Sequence, residues 1–290
     1  MDLRDLYYAE IVRVTELVEE ASGKRKVSGN LREELFLSVK YILSQGLSSA
    51  LSGGSRVSTI HLSNRWFLKT NPLNAHGFSY RIFVQRAFKI LVDLDVIRIV
   101  RRGFYDRPTS RGELTKFSVT EEYLCDLATT LKCNEFTPED LLVSDAFYSP
   151  EPLIRVSLKT KNQARQWVCV DTDVTEACQQ KEFCLERINK TLSRSWVDLD
   201  LNEQEWAALE LKLGKPVNFS RRFLYRVYND PKLITNGRFV GPWWQTIPSE
   251  LRSRITINGK RTVEIDFSAM HPRILYALEG IDLKFDPYSV

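Results

Sequence analysis

Thr256-Ile257-Asn258-Gly259-Lys260-Arg261-Thr262-Val263-Glu264-Ile265-Asp266-Phe267-Ser268-Ala269-Met270-His271-Pro272-Arg273-Ile274-Leu275-Tyr276-Ala277-Leu278 passes from a turn to a strand to a helix. Asn258-Gly259 is a strong two-residue hairpin signal, because a type I′ turn needs positive φ at both central positions. The run from Arg261 to Asp266 then reads as a strand, and Pro272 suits the first turn of a helix through Leu278. Asp266 therefore ends a strand just before a turn into a helix. A carboxylate held there projects from a rigid element into space beyond a sheet, with room for a divalent cation and a triphosphate. The plainer alternative is an aspartate that caps the turn following its strand.

Towards the N-terminus, Asn30-Leu31-Arg32-Glu33 has the spacing of a capping box, and Leu35, Phe36, Val39, Ile42 and Leu43 follow at helical spacing. This predicts a helix over 31–45, with the Ser- and Gly-rich stretch 45–58 as a loop. Ser79 is placed to cap a second helix, Tyr80 to Leu94, with apolar stripes on one side and Arg81, Arg86 and Lys89 off them. Segments 96–102 and 113–119 are alternating or β-branched, and Gly103 to Gly112 joins them into a long-tipped hairpin.

Two helices followed by such a hairpin resemble the winged helix-turn-helix, over about residues 30–130. The resemblance implies a recognition helix in the major groove of DNA and a wing on its backbone. The hairpin carries Arg98, Arg101, Arg102, Arg107, Arg111 and Lys116 against only Asp106 and Glu113. With Arg81 and Arg86, the residues Arg101, Arg102, Arg107 and Arg111 are the candidate DNA contacts, since phosphate neutralisation supplies most nonspecific affinity. A solvated hairpin whose basic edges discourage aggregation is the competing reading.

The polar interruption at 136–152 suits a linker, so the expected organisation is a winged-helix-like domain with an N-terminal helix over 1–135 and a second unit over 153–290. In that unit 154–159 and 167–171 read as strands and 176–192 as a helix, with Arg187, Lys190 and Arg194 towards its end. The expected class is α+β.

Asp266 to Leu275 resembles motif A of the DNA polymerase palm. Against the family A pattern, Asp266, Ser268, Arg273, Ile274 and Leu275 match outright, and Phe267 and Met270 match in kind. Against family B, Asp266, Phe267, Pro272 and Ile274 match. Upstream, Gly237-Arg238-Phe239 followed by Trp244-Gln245-Thr246-Ile247-Pro248 and Arg252 is similar to the stretch that precedes motif A in family A, which points to an A-like, phage or mobile-element polymerase. The resemblance covers about residues 237–278.

It implies that the Asp266 carboxylate and the Phe267 carbonyl hold catalytic Mg²⁺, and that His271 and Arg273 lie near the incoming deoxynucleoside triphosphate. It also implies that Arg238 and Gln245 lie near primer-template DNA. Two-metal phosphoryl transfer needs more than one carboxylate. The finger helix and second carboxylate of the family do not follow within the chain, so a continuation or a second polypeptide is expected to supply them. Alone, the chain is expected to be inactive. The alternative is a DNA-binding replication or regulatory protein acting through the winged helix, with a vestigial palm segment. A protein-interaction module without nucleic acid is a third.

Composition agrees without deciding. The chain has 290 residues, 43% apolar and 27% charged, enough for a substantial core. Its 41 basic and 37 acidic residues are too balanced to indicate nucleic acid by themselves. Five cysteines without a Cys-x-x-Cys pair, and three scattered histidines, do not suggest a local zinc site. No apolar run approaches a membrane span, and a cytoplasmic setting with reduced thiols is expected.

Overall fold

A computed structural model of the chain describes residues 3–23, 29–52, 54–68, 78–106, 111–133, 153–159, 165–168, 176–219, 221–234, 236–263, 265, 268–285 and 288. The fold is α+β, with helices around several small sheets.

Helix α1 (Leu3–Ala21) buries Tyr7, Ile11, Val14 and Val18, one residue per turn, against α2 (Gly29–Ala50). The helix expected at 31–45 is longer at both ends. Asn30 lies inside its first turn, and the stretch after Gln45 continues it through Ala50 instead of looping. Two local effects explain the difference. Serine hydroxyls at this end of the helix donate back to carbonyls of the preceding turn, Ser44 to Tyr41 at 3.0 Å and Ser48 to Gln45 at 2.9 Å, so these hydroxyls are satisfied within the helix. Gly46 leaves space for a sheet, since a Cβ there would stand 2.5 Å from Val119 Cγ2.

That sheet is formed by β1 (Ser58–Ile60), β2 (Ile97–Arg101) and a later strand, Thr115–Val119, which lies in its centre and pairs antiparallel with both. Beyond it, β3 (Phe104–Asp106) and β4 (Arg111–Glu113) form the two-stranded tip of the hairpin, making Thr115–Val119 strand β5. A 3₁₀ turn (Asn64–Phe67) precedes a helix that Ser79 caps by accepting from the Ile82 amide at 3.3 Å. This helix is composite: α3 (Tyr80–Ile82), a π-helical stretch (Phe83–Phe88), then α4 (Lys89–Asp93). Glu34 Oε1 accepts from the Ser79 amide at 2.6 Å and from its hydroxyl at 2.8 Å, tying α2 to the cap. Helix α5 (Glu121–Thr130) comes next, capped by Thr120.

In the second half, β6 (Ile154–Lys159) pairs antiparallel with β7 (Arg165–Val168) and parallel with β9 (Tyr225–Tyr228), which pairs with β10 (Asn236–Val240). Helix α6 (Glu176–Ser193) buries Leu185 against Ile154, Val156 and Tyr228. Its Asn189 side chain donates to the Leu224 carbonyl at 2.9 Å and accepts from the Leu224 amide at 2.8 Å. Strand β8 (Val197–Leu199) pairs with β11 (Ile255–Ile257), which pairs with the two-residue β12 (Lys260–Arg261). Helix α7 (Glu203–Leu213) is held by a complete Asn202/Glu205 capping box and ends at Gly214, whose φ is +65°.

A large apolar core holds α1 to α5 and the first sheet, and Trp196 of the second half is buried in it, with Phe223 packed against it. Smaller cores hold the β8–β11–β12 sheet and the sheet of β6, β7, β9 and β10. The expected linker, 136–152, lies outside the described residues.

Candidate nucleic-acid interface

Three regions concern function. The first is the basic hairpin. Arg98, Arg101 and Arg102 are exposed, while Lys116 is half-buried. Arg98 Nε donates to Ser118 Oγ at 3.1 Å across the β2–β5 ladder, and Arg101 approaches Glu113 at 3.3 Å. The β2–β5 register shifts between Ile99 and Arg101, before the chain enters the tip. Arg107 and the Arg111 side chain lie outside the described residues. On the preceding helix Arg81 and Lys89 are exposed, but Arg86 is only 9% exposed and does not share their face. The α-helical spacing that placed it there is interrupted by the π-helical stretch, whose wider turn carries residues 86–88 inward together.

The second region surrounds the motif A resemblance. Asn258 and Gly259 have φ of 51° and 70°, as the predicted hairpin turn requires. The strand expected over Arg261 to Asp266 stops at Arg261: Thr262, Val263 and Ile265 are not strand, and exposed Val263 and Ile265, at 82% and 77%, pack on no sheet among the described residues. Alternation makes a strand only where a second surface covers one of its faces. Asp266 and Phe267 lie outside the described residues. Helix α8 (Met270–Leu278) then forms as expected, with Pro272 in its first turn. His271 is exposed. Arg273 is used structurally, donating to the Ser268 carbonyl at 3.0 Å and the Leu283 carbonyl at 2.8 Å. Among the described residues no three His, Cys, Asp or Glu side chains are grouped to hold a metal ion. The Mg²⁺ expected with Asp266 thus has no assembled ligand set among them.

The upstream motif depends on a glycine. Gly237 has φ +64°, and a Cβ there would stand 2.6 Å from the Tyr228 ring, so only glycine fits this register shift near the start of β10. Arg238 is exposed on β10. Gln245 closes the next turn, accepting from the Gly241 amide at 3.1 Å and donating to the Phe239 carbonyl at 3.3 Å. Trp243 is buried in a local core with Trp206 and Phe219, and Trp244 packs against that core.

The third region was not visible in the sequence. A cleft of about 300 Å³ opens where the second half meets β1 and the 3₁₀ turn of the first. His61, Trp66, Arg155, Lys215, Arg221 and Trp243 line it, and no carboxylate does so among the described residues. His61 stacks on Trp66 with centroids 5.3 Å apart and planes 11° apart. Arg155, on β6, lies 3.5 Å over the Tyr225 ring. Partial burial, and after it the positive charge of Arg221, holds the His61 pKa below its ordinary value. These basic groups are scattered along the chain from His61 to Arg221, so no local charge run betrays them. The basic pair Arg221-Arg222 is the local hint, and it is split: Arg221 faces the cleft, whereas Arg222 is buried and donates to the Leu192 carbonyl at 3.1 Å.

Cys125, Cys133 and Cys184 are free thiols. Among the described residues no helix is long and apolar enough to cross a membrane. Compared with protein-family models, curated proteins and solved structures, the chain matches none.

Proposed function

We propose that this chain is a nucleic-acid-engaging part of a template-dependent nucleotidyltransferase of the DNA polymerase type, with Asp266 as its first metal carboxylate. The observation that carries this is the ordered pair of motifs, Gly237-Arg238-Phe239 with Trp244 to Pro248, and then Asp266 to Leu275. Two features support it. The Asn258-Gly259 hairpin precedes Asp266 in the chain and α8 follows it, the order that the motif expects. Val263, Ile265, Ile274, Leu275 and Leu278 are all exposed, which suits a segment whose sheet is completed by further polypeptide. That polypeptide, whether a continuation or a second chain, supplies the remaining carboxylate and the triphosphate-binding cations. Bound Mg²⁺ would supply charge neutralisation at the transferring phosphoryl group.

Primer extension tests it, on a primed single-stranded template with Mg²⁺ and deoxynucleoside triphosphates, using the protein expressed to the end of its open reading frame. Extension that falls at least about a hundredfold in Asp266→Asn supports the proposal. Extension indifferent to Asp266, or a frame and neighbouring frames that supply no second carboxylate, overturns it.

A second reading, a DNA-binding replication or regulatory protein, is favoured by one observation. The order helix, strand, short helical turn, helix, hairpin, with sheet order β1-β5-β2, suits a winged helix with α3 to α4 for recognition and the β2–β5 hairpin as the wing. It expects duplex binding that survives Asp266→Ala and weakens when Arg101, Arg102 and Arg107 are neutralised.

A further inference from the structure

The cleft between the two halves has a chemistry that neither motif uses. Arg155, Lys215 and Arg221 reach it from β6 and from the loop between α7 and β9, with no carboxylate among its described lining residues. Like charges brought together in a concave site repel one another unless an anion joins them. The charge of Arg221 is felt at the His61 ring, where it adds to burial in lowering the pKa. Arg155 is buried and held against Tyr225, so its charge is fixed in place, whereas Lys215 and Arg221 are exposed and can turn to a ligand. Beside them lies a flat aromatic pair, the Trp66 indole with the His61 imidazole parallel to it.

A cationic rim beside an aromatic platform is the pairing that single-stranded nucleic acids require. The backbone phosphate takes the positive charge, and a base takes the ring face whatever its identity. The volume, about 300 Å³, is at the small end of ligand sites and suits one nucleotide unit rather than a duplex. We infer that this cleft binds one nucleotide unit of a single-stranded nucleic acid, its phosphate between Lys215 and Arg221 and its base against the His61–Trp66 pair.

Trp243 and Thr246 of the upstream polymerase-like stretch also line the cleft, which sets a strand bound there beside that motif. The inference rests on the nucleic-acid reading of the chain but on residues that reading does not otherwise use, so the two can fail separately.

The test is fluorescence anisotropy of a fluorescein-labelled oligo(dT), titrated with the whole chain over a series of salt concentrations. Lys215→Gln/Arg221→Gln is compared with Arg101→Gln/Arg102→Gln, and unfolding midpoints are measured alongside. Both cleft positions are exposed, so the fold is expected to be unchanged. The cleft variant should bind the single strand more weakly, with the slope of log K against log salt reduced by roughly 0.7, the amount for one single-strand phosphate no longer neutralised. Its duplex affinity should be kept. Single-strand binding that is unchanged in a folded cleft variant, or is lost only with the hairpin variant, overturns the inference and leaves the hairpin reading standing. Competition by free dTMP at equal nucleotide concentration also overturns it, because the occupant would then be a mononucleotide. No single-strand or duplex binding by the wild type sinks both readings.

Discussion

The sheet unit built on α1 to α5 and the segment from Thr262 to Tyr288 are both rich in apolar residues, yet one buries them and the other displays them. In the first, Leu35, Val39, Leu43 and Leu91 are sealed into a common core with Phe117 of β5. In the second, Leu275 is 63% exposed and Leu278 77%, and Leu283 is a rare buried member. The apolar content of a segment therefore says that it needs a partner surface, and only the rest of the fold says whether that surface is present. The first unit covers its apolar residues, while the second leaves most of its described ones exposed.

Core truncation should separate the two most strongly. Leu91→Ala is expected to cost about 2–5 kcal/mol in chemical denaturation, whereas Leu275→Ala should stay within about 0.5 kcal/mol. A comparable loss at Leu275 would show that α8 is covered after all. Next comes Gly46→Ala, where a methyl group would press on Val119; a loss of about 1–3 kcal/mol is expected by the same measurement. A neutral outcome would mean that α2 and β5 separate more easily than their packing implies.

The contrast extends to charge. Arg101→Gln/Arg102→Gln should reduce the salt slope of duplex binding by about 1.8, near 0.9 per phosphate. Arg273→Gln should leave it unchanged, because that side chain is committed to the Ser268 and Leu283 carbonyls. An equal effect of both would assign DNA contact to the motif A segment as well.

The smallest expected effect is a pH dependence at the cleft. The folded-state pKa of His61 lies below 6.5, so in the window from 6.5 down to that value the unfolded chain binds the proton more readily. Stability is unaffected above the window and falls as pH falls through it. His61→Gln should flatten this part of a stability-against-pH curve. Arg221→Gln should raise the His61 pKa measured by NMR, and no change would show that Arg221 stays away from the ring.

How much was legible varies with the range of the cause. Ser79 as a cap, the Asn258-Gly259 turn, Pro272 in the first turn of α8 and the β2–β5 hairpin were readable because each depends on residues a few positions apart. The α6 helix and the β6 strand obey their periodicity in the same way. The continuation of α2 through its Ser- and Gly-rich end was not readable, since Gly46 is tolerated there for the sake of Val119, far along the chain. Nor was the inward position of Arg86, which depends on a π-helical stretch that propensity does not predict. The Asn202/Glu205 capping box is a local signal of the readable kind that sequence reasoning missed.

The candidate sites divide along the same line. The sequence by itself determined the α+β class, the exposed basic hairpin and the ordered motifs ending at Asp266 to Leu275, because periodicity, turn chemistry and motif spacing are properties of neighbouring residues. Tertiary structure alone decided which apolar segment is covered, which arginines are committed to carbonyls, and that His61, Arg155, Lys215 and Arg221 share one cleft. Burial and convergent charge depend on which distant segments meet, and no local pattern encodes that meeting.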